Sequence, residues 1–145
     1  MCEAHFVSEV LQTTLDFERV TILDLIMIIE NEIKNFYSEF KYPKEFLFIK
    51  NLNLLDLNVW YIMPDNQIIE RLTGLMKRYP NRKLIPFARR DDCDDIACFE
   101  LNNGGKIEII HDFATDGWEQ KEEFSDFWAW FKYAVDTMIL SAADE

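Results

Sequence analysis

The chain has 145 residues and a mass of 17.3 kDa, one domain's worth of sequence. Hydrophobic residues make up 49% and aromatics 14%, with only 4 Gly and 4 Pro, which excludes a disordered, collagen-like or linker-rich chain. The net charge of −12 is uneven: residues 1–83 carry 12 acidic and 10 basic side chains, residues 84–145 carry 15 and 5. A field of that sign repels phosphate backbones, so nucleic-acid binding is disfavoured and a basic partner is favoured, steered to the C-terminal half.

The longest apolar runs, such as Leu25 to Ile29, are far short of a membrane span. The first residues, Met1-Cys2-Glu3-Ala4-His5, lack a basic stretch followed by an apolar one, so no secretory signal is expected. Three Cys is an odd number for a disulfide framework and fits a reducing, cytoplasmic setting.

Residues 1–19 are a weakly patterned lead-in to one predicted domain. Thr21 and Asp24 form a Thr-x-x-Asp capping box, and Ile22, Ile26, Ile29, Ile33, Phe36 and Phe40 recur at helical spacing. A helix is expected from Thr21 to about Glu39, buried on more than one side because Leu25, Met27 and Ile28 widen its apolar stripe. Pro43 to Met63 is rich in Phe, Leu, Ile, Trp and Tyr, interrupted by Asn51, Asn53 and Asn58; it reads as short strands, the clearest at Val59 to Met63. Pro64-Asp65-Asn66 is a turn and helix start, followed by the stripe Ile68, Ile69, Leu72, Leu75, Met76 and Tyr79, which Pro80 ends.

From Leu84 the pattern is β. Leu84 to Arg89 is a strand in which Pro86 marks an edge or a bulge. Arg90 to Asp95 is an acidic turn, Ile96 to Leu101 a strand, and Lys106 to His111 its return. Asn103-Gly104 between them is a type I′ hairpin signal, which places Cys98 opposite Ile109 and His111 opposite Ile96. Asp112 to Glu123 is loop or irregular strand. Ser125 caps a last helix whose face carries Phe127, Trp128, Phe131, Val135 and Met138, with Tyr133 nearly opposite. The expected class is α+β: helices packed on an antiparallel sheet with a three-strand meander in the C-terminal half.

The order Leu84-Ile85-Pro86-Phe87-Ala88-Arg89, acidic turn, Ile96-Ala97-Cys98-Phe99-Glu100-Leu101, then Ile107-Glu108-Ile109-Ile110-His111-Asp112 resembles the core of the Smi1/Knr4 (SUKH) superfamily. Phe124-Ser125-Asp126-Phe127-Trp128-Ala129-Trp130-Phe131 resembles its closing helix, and Trp60 sits where a strand aromatic is usual. The first half departs from the pattern, with Tyr42-Pro43-Lys44-Glu45-Phe46 in place of Leu-Pro-x-x-Tyr and no Gly before Gly74. The resemblance implies a SUKH-like fold and a bacterial immunity protein that binds and neutralises a cognate polymorphic toxin, often a nuclease with a basic surface.

An enzymatic reading has little to stand on. Cys98 and His111 are diagonal neighbours in the expected hairpin, too far apart for a nucleophile and its base. Cys93, Cys98 and His111 match no zinc-ligand spacing, and Asp91-Asp92-Cys93-Asp94-Asp95 lacks the glycine of a calcium loop. No cofactor, metal or catalytic set is expected. The alternative that stays open is a small cytoplasmic ligand-binding or enzymatic domain, to be recognised by a pocket with converging polar groups.

Strand direction places the candidate interface. The acidic turn and the segment after His111 emerge at one end of the sheet. That gathers Asp91, Asp92, Asp94 and Asp95 with Asp112, Asp116, Glu119, Glu122 and Glu123 around Trp118, an acidic patch with an aromatic centre.

Overall fold

The computed structural model describes residues 24–144. The Thr21 cap and the lead-in at 1–19 lie outside them. Helix α1 spans 24–34 and buries Ile26, Ile29 and Ile33 at steps of 3 and 4. It stops earlier than the apolar spacing predicts. The Ile33 carbonyl accepts from both Phe36 N (2.9 Å) and Tyr37 N (3.0 Å), a tightened last turn that swings Tyr37 and Phe40 into the core. Leu25, Met27 and Ile28 are more than half exposed, so the helix buries one side and not two.

The first marked difference from the expected elements comes next. Lys44–Asn51 is a helix, α2, not strands. Pro43 starts it, with φ −60° already suited to the turn that follows, and Phe46 and Ile49 are its buried pair. Strand β1 (Trp60–Ile62) then leads to α3 (Asp65–Arg78), which begins after Pro64 and buries Ile68, Leu72 and Leu75.

The sheet has five strands in sequence order, all antiparallel: β1, β2 (Leu84–Arg90), β3 (Asp95–Glu100), β4 (Ile107–His111) and β5 (Gln120–Phe124). The expected meander is its centre, and the loop expected after Asp112 contributes a strand of its own. Pro86 lies in an inner strand and is tolerated because the β2–β3 register shifts between Pro86 and Ala88, a bulge at Phe87 directly after the residue that lacks an N–H. The β3–β4 register is one residue away from the type I′ expectation: Cys98 faces Glu108 and Asp95 faces His111. The cause is a longer connection, with positive φ at Asn102 (61°), Gly104 (67°) and Gly105 (80°).

Alternation along the strands divides the sheet into two faces. One carries Leu84, Ile96, Cys98 and Ile110, and α3 packs there against β2. The other carries Phe87 and Phe99, stacked at 4.4 Å between centroids. Phe46 of α2 lies edge-on to both, at 5.6 and 5.5 Å. The last helix, α4 (Phe127–Ala143), covers this face with Phe127, Trp130 and Ala134. Its cap is Asp126, not Ser125: the carboxylate accepts from Ala129 N at 2.8 Å. Trp128, expected on the buried face, is 40% exposed, while Tyr133, expected opposite, packs on Phe124 at 5.0 Å. The architecture is α+β. Among the described residues no helix is long and apolar enough to cross a membrane.

The Phe87 ring touches Phe46, Phe99, Phe127 and Trp130, and so joins α2, the sheet and α4. Phe87→Ala is expected to cost about 3–5 kcal/mol in urea unfolding, the usual range for a large buried aromatic. A loss below about 1 kcal/mol would show that packing is centred elsewhere.

Candidate functional site

Two loops meet at the end of the sheet where β3 begins and β4 finishes: 91–94 and 112–119. Asp112 N donates to the Asp94 carbonyl at 3.1 Å, and His111 N donates to the Glu119 carbonyl at 2.8 Å, so the loops are tied side by side. The strand-direction argument therefore brings Asp91, Asp92, Asp94, Asp95, Asp112, Asp116, Trp118 and Glu119 to one end. Glu122 and Glu123 do not join them. They face Ile109 and Glu108 across β4–β5, and Glu123 pairs with Lys106 by the opposite hairpin, at 3.3 Å.

Burial sorts the gathered acids into two kinds. Asp95, Asp112 and Glu119 are buried and spend their charge internally. Asp95 bonds His111 Nδ1 at 2.8 Å and Lys121 Nζ. Burial alone would raise the Asp95 carboxyl, but the Lys121 and His111 bonds outweigh it and hold the group below its ordinary range. Glu119 accepts from Gly117 N at 3.0 Å and lies 3.6 Å from the Arg82 guanidinium. Arg82 itself forks onto Glu100 at 2.8 and 3.1 Å. Asp112 is the most heavily engaged. Its oxygens accept from Arg71 Nη1 (2.7 Å), Arg78 Nε (2.8 Å), Arg78 Nη2 (2.9 Å) and Phe113 N (2.8 Å). These three acids build the loop end; they do not present charge to a partner.

The remaining members are solvent-facing. Asp92 is exposed but forks with Arg90 at 2.8 and 2.9 Å, which holds its carboxyl down at about 2. Asp91, Asp94 and Asp116 are exposed. Trp118 is 80% exposed, the most exposed of the large hydrophobics among the described residues. Gly117, at φ 96°, makes the turn that leaves it outside, and Trp118 N closes the turn onto Thr115 O at 2.8 Å. Among the described residues the presented surface is thus smaller than the sequence implies: three carboxylates with no ion pair, one paired one and an indole.

Cys98 and His111 are not diagonal neighbours. The shifted register puts them on opposite faces of the sheet, with Cys98 fully buried and its thiol pushed well up by burial. Among the described residues no group of three His, Cys, Asp or Glu side chains is placed to hold a metal ion. Glu108 is buried on the α3 side of the sheet, where it accepts from Asn103 Nδ2 and from Gln120 Nε2 at 2.7 Å. Burial pushes its carboxyl up against those bonds, which favour the charged form.

The residues that the sequence reading left aside are basic: Arg71 and Arg78, turned onto the buried Asp112, and Arg82, turned onto the half-buried Glu100. The available signal was the spacing Gln67, Arg71, Gly74, Arg78, which makes one polar stripe along α3 beside its apolar one. Comparison with protein-family models, curated proteins and solved structures finds no match to this chain. The resemblance to the Smi1/Knr4 superfamily therefore rests on the meander and closing-helix residues alone.

Asp95 gives this end a pH signature. Its carboxyl is held below the ordinary range when folded, so its contribution is present above the unfolded value and is lost as pH falls through the folded one. Asp95→Asn should cost about 1–2 kcal/mol at neutral pH, since its partners are solvated and keep water as a substitute. In paired denaturation curves that difference should shrink as the pH falls below the ordinary aspartate range and the wild-type group protonates. A difference constant with pH would remove charge from the account.

Proposed function

We propose that the protein is a catalytically silent binding module of the immunity type, which neutralises a toxin in the cytoplasm by capping a basic face, most simply that of a nuclease. The supporting observation is Trp118: a large aromatic 80% exposed on a glycine turn that also carries Asp116, in a loop tied to the acidic 91–94 loop through Asp112 N and the Asp94 carbonyl. An indole left in water beside charge is the usual make-up of an interface anchor, an apolar contact ringed by polar ones. The free acids steer a basic partner, and the buried ion pairs keep both loops in register so that little ordering is needed on contact. The cleft lined by arginines on the α3 face favours the second reading, a small-ligand domain.

The test is to examine the neighbouring genes for a toxin and to co-express any such product with this chain, scored by growth rescue and by affinity of the purified pair. Trp118→Ala should weaken binding at least about tenfold, the effect of losing one hot spot. Asp91→Lys, Asp94→Lys and Asp116→Lys together should lower the on-rate and flatten its salt dependence. Rescue unchanged by both variants would sink the proposal.

A further inference from the structure

Three arginines meet in a cleft of about 600 Å³ lined by Gln67, Glu70, Arg71, Arg78, Arg89 and Phe113. Four of these come from α3 and one from β2, while Phe113 follows the buried Asp112. The volume is in the range of small-molecule sites. Three guanidinium groups in one cleft of a chain with net charge −12 call for a physical reason.

Arg89 is the least explained by the fold. It lies in a central strand, opposite Ile96 on one side and Tyr61 on the other, on the sheet face that α3 covers. An apolar side chain is the ordinary occupant of such a position. Its Nε is buried with no hydrogen-bond partner, and among the described residues its side chain makes no ion pair. An unpaired buried donor on a charged group destabilises the fold, so its presence at this position favours a role outside folding.

The other two arginines are held in place. Asp112 fixes Arg71 and Arg78 from below and cancels one of the three positive charges. The Phe113 ring lies against both, 4.3 Å from Arg78 Cζ and 5.2 Å from Arg71 Cζ. Phe113 does so at φ 69°, a backbone region that bulky residues avoid, and strain of this kind gathers at functional sites. Gly74 supplies the last piece. It sits inside α3, where glycine costs helix stability, and a Cβ there would lie 2.7 Å from Arg78 Nη1 and 2.8 Å from Nη2. The glycine makes room for the Arg78 guanidinium to lie across the helix.

We infer that this cleft is a binding site for a small phosphate monoester with a hydroxylated carbon skeleton, of the sugar-phosphate class. The three guanidinium groups exceed the Asp112 and Glu70 carboxylates at the cleft by one positive charge, and guanidinium forks suit the oxygens of a phosphate. Glu70 and Gln67 on the α3 side offer acceptors and a donor to hydroxyl groups, which a bare phosphate would leave unused.

Calorimetric titration of the full chain with ribose 5-phosphate tests this, with ribose and succinate as comparison ligands. Ribose 5-phosphate should bind with a Kd below about 1 mM, and the other two at least about tenfold more weakly, because only the monoester satisfies the guanidinium pair. Arg89→Met should remove binding while leaving the melting temperature unchanged or raised, since it deletes an unpaired charge. Gly74→Ala improves the helix but crowds Arg78, so it should weaken binding several-fold in a protein that still folds. No binding of ribose 5-phosphate, equal binding of succinate, or affinity that neither variant alters would each overturn the inference. None of these outcomes bears on Trp118, so this inference and the toxin-binding reading stand or fall separately.

Discussion

Asp112 is the joint on which both ends of the molecule depend. It is a fully buried carboxylate, and two arginines of α3 and one backbone N–H converge on it. A buried charge is tolerable only when its lone pairs are filled, and here four donors fill them. The same bonds fasten α3 to the end of β4, on the sheet face away from the aromatic core. They also set the exit direction of the chain, so that Phe113 turns under the arginines and the loop to Glu119 turns outward with Trp118 at its tip. Tyr79, at the end of α3, adds a second fastening through its hydroxyl to the Ala114 carbonyl at 2.8 Å.

The large acidic excess is therefore not one property but two. Part of it is structural: Asp95, Asp112, Glu100 and Glu119 each meet a cation and form a ladder of pairs along the α3 side and the loop end. Such pairs add little net stability over a well-packed apolar alternative, yet removing one partner strands the other. They fix geometry more than they add free energy. The remainder is solvated and sets the long-range field. Net charge read from the sequence sums these two populations and so overstates the surface available to a partner.

The legible parts of the fold were those written in local chemistry. Pro86 must lose a ladder bond, and a bulge follows. Ile68, Leu72 and Leu75 repeat at helical spacing, and a helix follows. The unreadable parts were decided at a distance. Phe46, Leu47, Phe48 and Ile49 form an apolar run that suits a strand by propensity, yet the aromatic surface of Phe87, Phe99 and Phe127 takes Phe46 on one side of a short helix and leaves Phe48 outside. The hairpin register slipped by one because three residues, not two, adopt positive φ, and one residue is enough to send Cys98 and His111 to opposite faces. Strand direction correctly gathered the acidic loops. Which acids would be consumed internally depended on cations far away in sequence, such as the two arginines 34 and 41 residues from Asp112, and no local pattern contains that.

A cleft of arginines within an acidic protein also has a consequence for selectivity. The Debye length at physiological ionic strength is about 8 Å, so a ligand outside the cleft feels mainly the nearest surface charges, and a ligand inside it feels the guanidinium groups. A polyanion such as nucleic acid cannot bring only one phosphate to Arg89. Its neighbouring phosphates would meet the field of a chain with net charge −12, and the repulsion grows with each. A small anion fits wholly within the short range of the arginines and escapes that penalty. If the cleft takes an anion as inferred, the surrounding acidic surface would select for small ones, and under the proposed function the same field would attract a basic protein at Trp118.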